Sequence, residues 1–203
     1  MFIITESSCS ITCPGAYTIY MATKNQTHRF PSFALLLTLV FITLIALRSS
    51  GLSLIITFIP GAIIAFIAYW RCSGKINRVS AAPLYFLALG WQLLHFLEEY
   101  LTDFNEKFPA LIDGSTAYSL DSFIALNMVM YFLFILGGVF GLIKGIRIWL
   151  LPVWFFVVYG VCGNIITHVI FAVANGGYFP GLITAIGYCI IVVPLLKSFF
   201  VKK

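Results

Sequence analysis

The chain has 203 residues, of which 61% are hydrophobic and only 9% are charged, and its mean hydropathy is +1.03. Soluble domains are about a quarter charged, so the composition excludes an ordinary soluble protein and predicts an all-α, polytopic transmembrane helical bundle. The formal net charge of +5 comes mostly from lysines and arginines between apolar segments. It therefore indicates membrane topology rather than nucleic-acid binding. Membrane lipids are the expected partners; no soluble partner is indicated, and the sequence does not give the oligomeric state.

Composition divides the chain into three parts. Residues 1–30 are mixed and polar, and we expect them to form an N-terminal cytoplasmic tail that is disordered or poorly packed, with Met21 an alternative start to Met1. Residues 31–80 are predicted to form two additional transmembrane helices. Residues 81–203 are predicted to form a four-helix transmembrane domain.

Six apolar segments are predicted to cross the membrane, at about 33–47, 52–70, 81–101, 122–143, 148–174 and 181–200. Most approach the ~20 residues that a helix needs to cross a hydrocarbon core of ~30 Å. The first two segments are joined by a very short connection, so a re-entrant hairpin is the alternative there. Asp121 is predicted to cap the fourth helix.

The basic residues predict the orientation. With the N-terminus inside and six spans, ten of the twelve lysines and arginines lie in the cytoplasm, and only Arg48 and Lys107 lie outside. This distribution follows the positive-inside rule. We therefore expect a multi-pass cell-membrane protein with both termini cytoplasmic.

One polar motif interrupts the third apolar segment: His95-Phe96-Leu97-Glu98-Glu99. A charged group at membrane depth costs roughly 2.5–3.5 kcal/mol on insertion scales, so such groups mark functional sites. In a helix, His95 shares a face with Glu98 and Glu99, and Gln92 lies on the same stripe. Of the two glutamates, Glu99 is expected to face inward with His95.

Polar residues of the later spans are predicted to reach the same depth. At 1.5 Å per residue, the motif lies roughly 21–27 Å from the inner end of its span, in the outer third of the bilayer. The predicted topology places further polar residues near that face: Asp121, Asn127, Asn164, His168, Tyr178 and Thr184. The sequence therefore predicts one polar site near the extracytoplasmic surface.

The motif resembles the signature of a bacterial integral-membrane family named for its His-x-x-Glu-Glu residues. In that family a later histidine and a Tyr-x-Pro-Gly turn accompany the motif, and here they match His168 and Tyr178-Phe179-Pro180-Gly181. The resemblance covers roughly Pro83 to the C-terminus. It implies a multi-span membrane protein of a family without an established activity.

The polar set permits three chemical interpretations. A mononuclear metal site of zinc, iron or manganese would use His95, Glu99 and His168 as ligands. A metal-free acid/base or proton-handling site and a purely structural hydrogen-bond network are the alternatives. Catalytic roles are predicted for His95, Glu98, Glu99 and His168, with one glutamate as general base, and substrate-binding roles for Gln92, Asn164 and Tyr178.

Three functions remain open at this point. The first is a metal-dependent membrane enzyme, hydrolase-like or lipid-modifying, acting on a lipid or other apolar substrate. The second is a proton-coupled transporter or permease, which the one-sided polar cluster and the lack of a detected internal repeat disfavour. The third is a non-catalytic accessory protein. The connection 102–119 is either a lid over the site or a solvated connector.

Overall fold

Every element that the structure describes is helical. The structure is a computed structural model, and it describes residues 34–39, 52–112 and 119–200, with the backbone alone for 52–57. Residues 34–39 form a helical stretch, and the helices that follow are α1 (Leu52–Cys72), α2 (Arg78–Leu101), α3 (Phe104–Ile112), α4 (Leu120–Ile143), α5 (Arg147–Ala174) and α6 (Leu182–Phe200). The all-helical prediction is confirmed for this part of the chain.

Four of these helices, α2, α4, α5 and α6, are long and apolar enough to cross a membrane. Helix α1 coincides with the second predicted span, whereas the first predicted span lies outside the described residues except for 34–39. The count of six spans, the cytoplasmic termini and the division at residues 30 and 80 stay predictions.

Helix α2 is central in the bundle. One face of it is buried, with side chains that recur every three or four residues: Ala81, Tyr85, Ala88, Leu89, Gln92, His95 and Glu99. This spacing places apolar and polar residues on one stripe facing the other helices. Leu87, Leu94 and Leu101 lie exposed on another face. Large apolar side chains on the outside fit a bundle whose solvent is lipid.

The packing of α2 against α6 depends on a close approach. A Cβ atom added to Gly187 would lie 2.3 Å from Cζ2 of Trp91, so only glycine lets the indole lie against α6 there. The indole Nε1 donates a hydrogen bond of 2.9 Å to the carbonyl oxygen of Thr184. This contact fixes the two helices next to the polar motif.

Two helices contain wide π-helical turns, Gly137–Ile143 in α4 and Phe156–Gly163 in α5. A π turn changes the angular position of the side chains that follow it, and such turns are frequent near functional sites. The turn in α5 ends directly before Asn164 and His168, so it sets the direction in which both side chains point.

The prediction that Asp121 caps α4 is wrong. The cap is Ser119, whose hydroxyl oxygen accepts a hydrogen bond of 3.2 Å from the backbone N–H of Ser122. Serine lies one position outside the helix, where a cap must lie, whereas Asp121 lies inside the first turn. There its carboxylate faces the positive end of the helix dipole.

The segment after the motif is a short packed helix as far as it is described. The backbone reverses at Asp103, with φ of 61°, and α3 begins at the next residue. Its Phe108 is buried with Phe171 and Phe179, and the Phe104 ring lies 5.6 Å from the His168 ring. This half of the connection is therefore an apolar cover over that end of the bundle, while residues 113–118 lie outside the described part.

Candidate functional site

His95, Glu99 and His168 meet in the interior of the bundle. Oε1 of Glu99 lies 3.5 Å from Nε2 of His95 and 3.4 Å from Nε2 of His168. The two imidazole rings stand edge to face with centroids 4.7 Å apart. The three residues are 0%, 7% and 2% exposed for His95, Glu99 and His168. Two helices, α2 and α5, thus supply one buried cluster.

The other ring nitrogen of each histidine is already occupied. Nδ1 of His168 lies 2.7 Å from the carbonyl oxygen of Pro180, which can only accept, so this nitrogen carries a proton. Nδ1 of His95 lies 2.8 Å from the hydroxyl of Thr184. That hydroxyl donates its single proton to the carboxylate of Glu98, so it accepts a hydrogen bond from Nδ1 of His95. When a ring is neutral, its Nε2 is therefore the nitrogen without a proton.

With both rings neutral, three electron-pair donors face one another. The side-chain atoms of His95, Glu99 and His168 that can bind a cation all lie within 4.8 Å of one another. Nε2 of His95 is buried and has no hydrogen-bond partner. Lone pairs brought together in this way repel unless a cation or a proton lies among them. The cluster could hold a metal ion.

Glu98 has a different environment from its neighbour. Its Oε1 accepts hydrogen bonds from the Tyr178 hydroxyl at 2.8 Å and the Ile183 N–H at 3.1 Å. Its Oε2 accepts from the backbone N–H of Thr184 at 2.8 Å and from the Thr184 hydroxyl. The carboxylate therefore caps the first turn of α6. Four donors leave little capacity for a substrate, so this geometry disfavours Glu98 as general base.

Tyr178 lies in the turn between α5 and α6 and is half-exposed. Burial, and then the hydrogen bond to the Glu98 carboxylate, raise the pKa of Tyr178 above its ordinary value of 10.0. The phenol is therefore a stable hydrogen-bond donor to Glu98, and the substrate-binding role predicted for it stays untested.

A second polar layer lies one turn deeper, around Gln92. Its side-chain oxygen accepts from the Tyr188 hydroxyl and, at 3.4 Å, from the amide of Asn164. The hydroxyl of Tyr131 donates to the backbone oxygen of Gln92. The predicted substrate-binding residues Gln92 and Asn164 thus pair with each other, beneath the His/Glu cluster.

Gly181 holds the turn against both histidines. It has φ of +84°, and a Cβ atom there would lie 2.5 Å from Cε1 of His168 and 3.0 Å from Cε1 of His95. Both the left-handed backbone and the lack of a side chain are needed at this position. The sequence identified this glycine as part of a turn, but its contact with the two imidazole rings is a tertiary feature.

The structure separates two other predicted members from the site. Asp121 is exposed, and the amide of Asn127 donates within its own helix to the Phe123 carbonyl at 3.0 Å. Tyr131 and Tyr188 were not predicted as site residues. A tyrosine in an apolar span is indistinguishable from a packing residue in sequence, so no local pattern singles them out.

The comparison with known families agrees with the motif. Residues 85–195 match the family described as "Protein of unknown function with HXXEE motif". The chain belongs to this HXXEE family. No curated protein and no solved structure matches the chain. In this HXXEE protein the motif has two environments: His95 and Glu99 face His168, and Glu98 binds the start of α6.

Proposed function

We propose that this HXXEE protein is a membrane-embedded, metal-dependent enzyme that acts on a lipid or another apolar substrate. The observation that carries the proposal is the convergence of two imidazole Nε2 atoms on one carboxylate oxygen. The other nitrogen of each histidine donates to a fixed oxygen. Metal-binding histidines in proteins are oriented by such hydrogen bonds at the remote nitrogen.

The ligand set suggests the class of metal. Two imidazole nitrogens and one carboxylate oxygen suit zinc, iron or manganese, and three protein ligands leave a coordination position for water or substrate. In a zinc site, ligand atoms ~2.0–2.1 Å from the metal lie roughly 3.3 Å from one another. The separations of 3.4 and 3.5 Å are close to this value. A bound metal would supply Lewis acidity or an activated water.

The surroundings suggest an apolar substrate. The cluster lies between helices long and apolar enough to cross a membrane. The rings of Phe104 and Phe171 lie 5.6 and 6.0 Å from His168. Aromatic surface around a few directed polar groups is typical of sites that bind apolar molecules. Glu98, Thr184 and Pro180 act on the histidines and on the turn, so their proposed role is positioning.

A metal-free proton site is the second candidate. A histidinium in place of the metal would also compensate Glu99, and histidine titrates in the physiological range. A proton-coupled transporter would use the same residues for relay. The metal content of the purified protein distinguishes the metal site from the proton site, because a proton site needs no bound metal.

The test is metal analysis of the purified full-length protein after exposure to zinc, iron(II) or manganese(II). We expect about one metal ion per chain, lost in Glu99→Gln and His168→Gln. Glu106→Gln is the matched control because Glu106 is an exposed glutamate of α3. Folded wild-type protein without metal under all three conditions contradicts the metal site.

The enzymatic part needs its own measurement. Protein reconstituted in phospholipid vesicles is incubated with and without the bound metal, and the lipids are compared by mass spectrometry. We expect new lipid species with metal-loaded wild type and none with Glu99→Gln. A bound metal without any change in the lipids retains the metal site and refutes lipid modification.

A further inference from the structure

At the end of the bundle opposite the His/Glu cluster, two helices contribute positive charge and a third contributes a tyrosine. Arg78 is the first residue of α2, Arg147 is the first residue of α5, and Tyr69 lies in the last turn of α1. The Arg78 guanidinium lies over the turn at Gly145, two residues before Arg147, and Arg147 interacts electrostatically with both Arg78 and Tyr69. The two arginines thus lie at the same turn.

Among the residues that the structure describes, no aspartate or glutamate lies at the same end of the bundle as these arginines. All aspartates and glutamates that it describes lie toward the other end of the bundle, namely Glu98, Glu99, Asp103, Glu106 and Asp121. Both arginines also lie at helix N-termini, where the helix dipole disfavours a cation. The positive charge at this end is therefore uncompensated within the described residues.

Unsatisfied polar atoms lie at the same end. Nε of Arg147 and Oγ of Ser73 are buried without a hydrogen-bond partner. Ser73 is the first residue after α1 and follows Tyr69 by four positions. A buried guanidinium nitrogen without an acceptor is unfavourable unless a ligand supplies one.

The backbone leaves room for one of the guanidinium groups. Gly145 has φ of +77°, and a Cβ atom there would lie 2.8 Å from Nη1 of Arg78. A side chain at this position would displace the guanidinium from its place over the turn. Asn77, next to Arg78, donates its N–H to the carbonyl oxygen of Phe199 at 2.8 Å, which fixes the start of α2 against the end of α6.

We propose that Arg78, Arg147 and Tyr69 bind the phosphate of an anionic phospholipid headgroup at this end of the bundle. Guanidinium groups bind phosphate oxygens in pairs, and a tyrosine hydroxyl adds a further donor. Basic pockets between transmembrane helices on the cytoplasmic side bind such headgroups, and the positive-inside rule predicts this end to be cytoplasmic. The site is independent of the proposed metal centre.

The test uses full-length protein in detergent micelles supplemented with phosphatidylglycerol, phosphatidylcholine or inorganic phosphate. Thermal unfolding and lipid retention in native mass spectrometry are measured. We expect phosphatidylglycerol to raise the melting temperature and remain bound, with smaller effects from the other two. Arg147→Gln is expected to weaken the apparent affinity for phosphatidylglycerol about tenfold, since a charge-assisted contact is lost.

Arg71→Gln is the matched control, because Arg71 lies at the same end but is exposed, with its guanidinium carbon 5.9 Å from the Trp70 ring. An equal loss of affinity in Arg71→Gln refutes the site and indicates diffuse surface charge. Equal stabilisation by inorganic phosphate refutes the lipid as the source of the ligand. If Arg147→Gln does not fold, Arg147→Lys and Tyr69→Phe replace it, and unchanged affinity in both contradicts the proposal.

Discussion

Glu98 and Glu99 are adjacent in one motif, but different groups surround their carboxylates. Glu98 is surrounded by donors from the start of α6, whereas Oε1 of Glu99 faces two imidazole nitrogens. A carboxylate with several donors stabilises the fold, and one facing lone pairs needs a cation. The roughly 100° between successive residues of a helix separates the two functions.

This difference predicts unequal effects of removing each charge. Glu98→Gln replaces two acceptor oxygens with one oxygen and an NH₂ group that would face backbone donors. We expect it to lower the free energy of unfolding by about 2 kcal/mol. Glu99→Gln is expected to have a smaller effect, because its NH₂ group can donate to an Nε2 atom. Thermal unfolding in detergent checks the order, and a larger loss in Glu99→Gln contradicts it.

At the scale of the helices, small residues and one reversed backbone position determine which surfaces meet. Gly187 admits the Trp91 indole between α2 and α6, and Asp103 turns the chain so that α3 lies against α5. The first contact positions Thr184 near His95, and the second places Phe104 beside His168. The site is thus assembled by helix packing.

The α2–α6 contact predicts a contrast between two glycines. Gly187→Ala would introduce a Cβ atom 2.3 Å from the Trp91 ring, so we expect a loss of roughly 1–3 kcal/mol in stability. Gly90→Ala is the matched control, since no atom lies within 4 Å of its added Cβ. That substitution is expected to be neutral or stabilising by up to ~1 kcal/mol. Equal melting temperatures for the two variants would argue against the close approach.

The reversed backbone at Asp103 predicts that substitutions by glycine and by alanine have different effects on stability. A non-glycine residue with φ of 61° is strained, so Asp103→Gly is expected to be neutral or stabilising by roughly 0.5–1 kcal/mol. Asp103→Ala is expected to destabilise, because alanine retains the strain and loses the polar side chain that tolerates this conformation. Their melting temperatures are compared with wild type, and a more stable Asp103→Ala variant contradicts the assigned backbone conformation.

At the scale of the whole molecule, the bundle has two chemically different ends. The described acidic residues and both bundle histidines lie toward one end, and the Arg78–Arg147 pair lies at the other. The hydrogen bond from Asn77 to Phe199 shows that the start of α2 and the end of α6 lie at the same end. Four helices of spanning length, with the start of α2 beside the end of α6, fit one up-and-down bundle.

This arrangement predicts the location of the C-terminus. A green fluorescent protein fused after Lys203 is expected to fluoresce, because the basic residues favour the cytoplasmic side. An alkaline phosphatase fused at the same position is expected to be inactive. If the green fluorescent protein fusion does not fluoresce and the phosphatase fusion is active, the orientation is opposite to the predicted one and the arginine pair lies outside.

The sequence by itself determined the helical class, the apolar segments and the residues of the motif. Lipid as solvent makes long apolar segments and rare polar groups visible without a structure. The expectation that Glu99 faces inward with His95 is confirmed. Only the tertiary structure decided that Glu99 also faces His168, that Glu98 binds the start of α6, and that Thr184 and Pro180 contact the Nδ1 atoms of the two imidazoles. These contacts join residues from 12 to 89 positions apart, and they depend on helix rotation and close packing that no local pattern encodes.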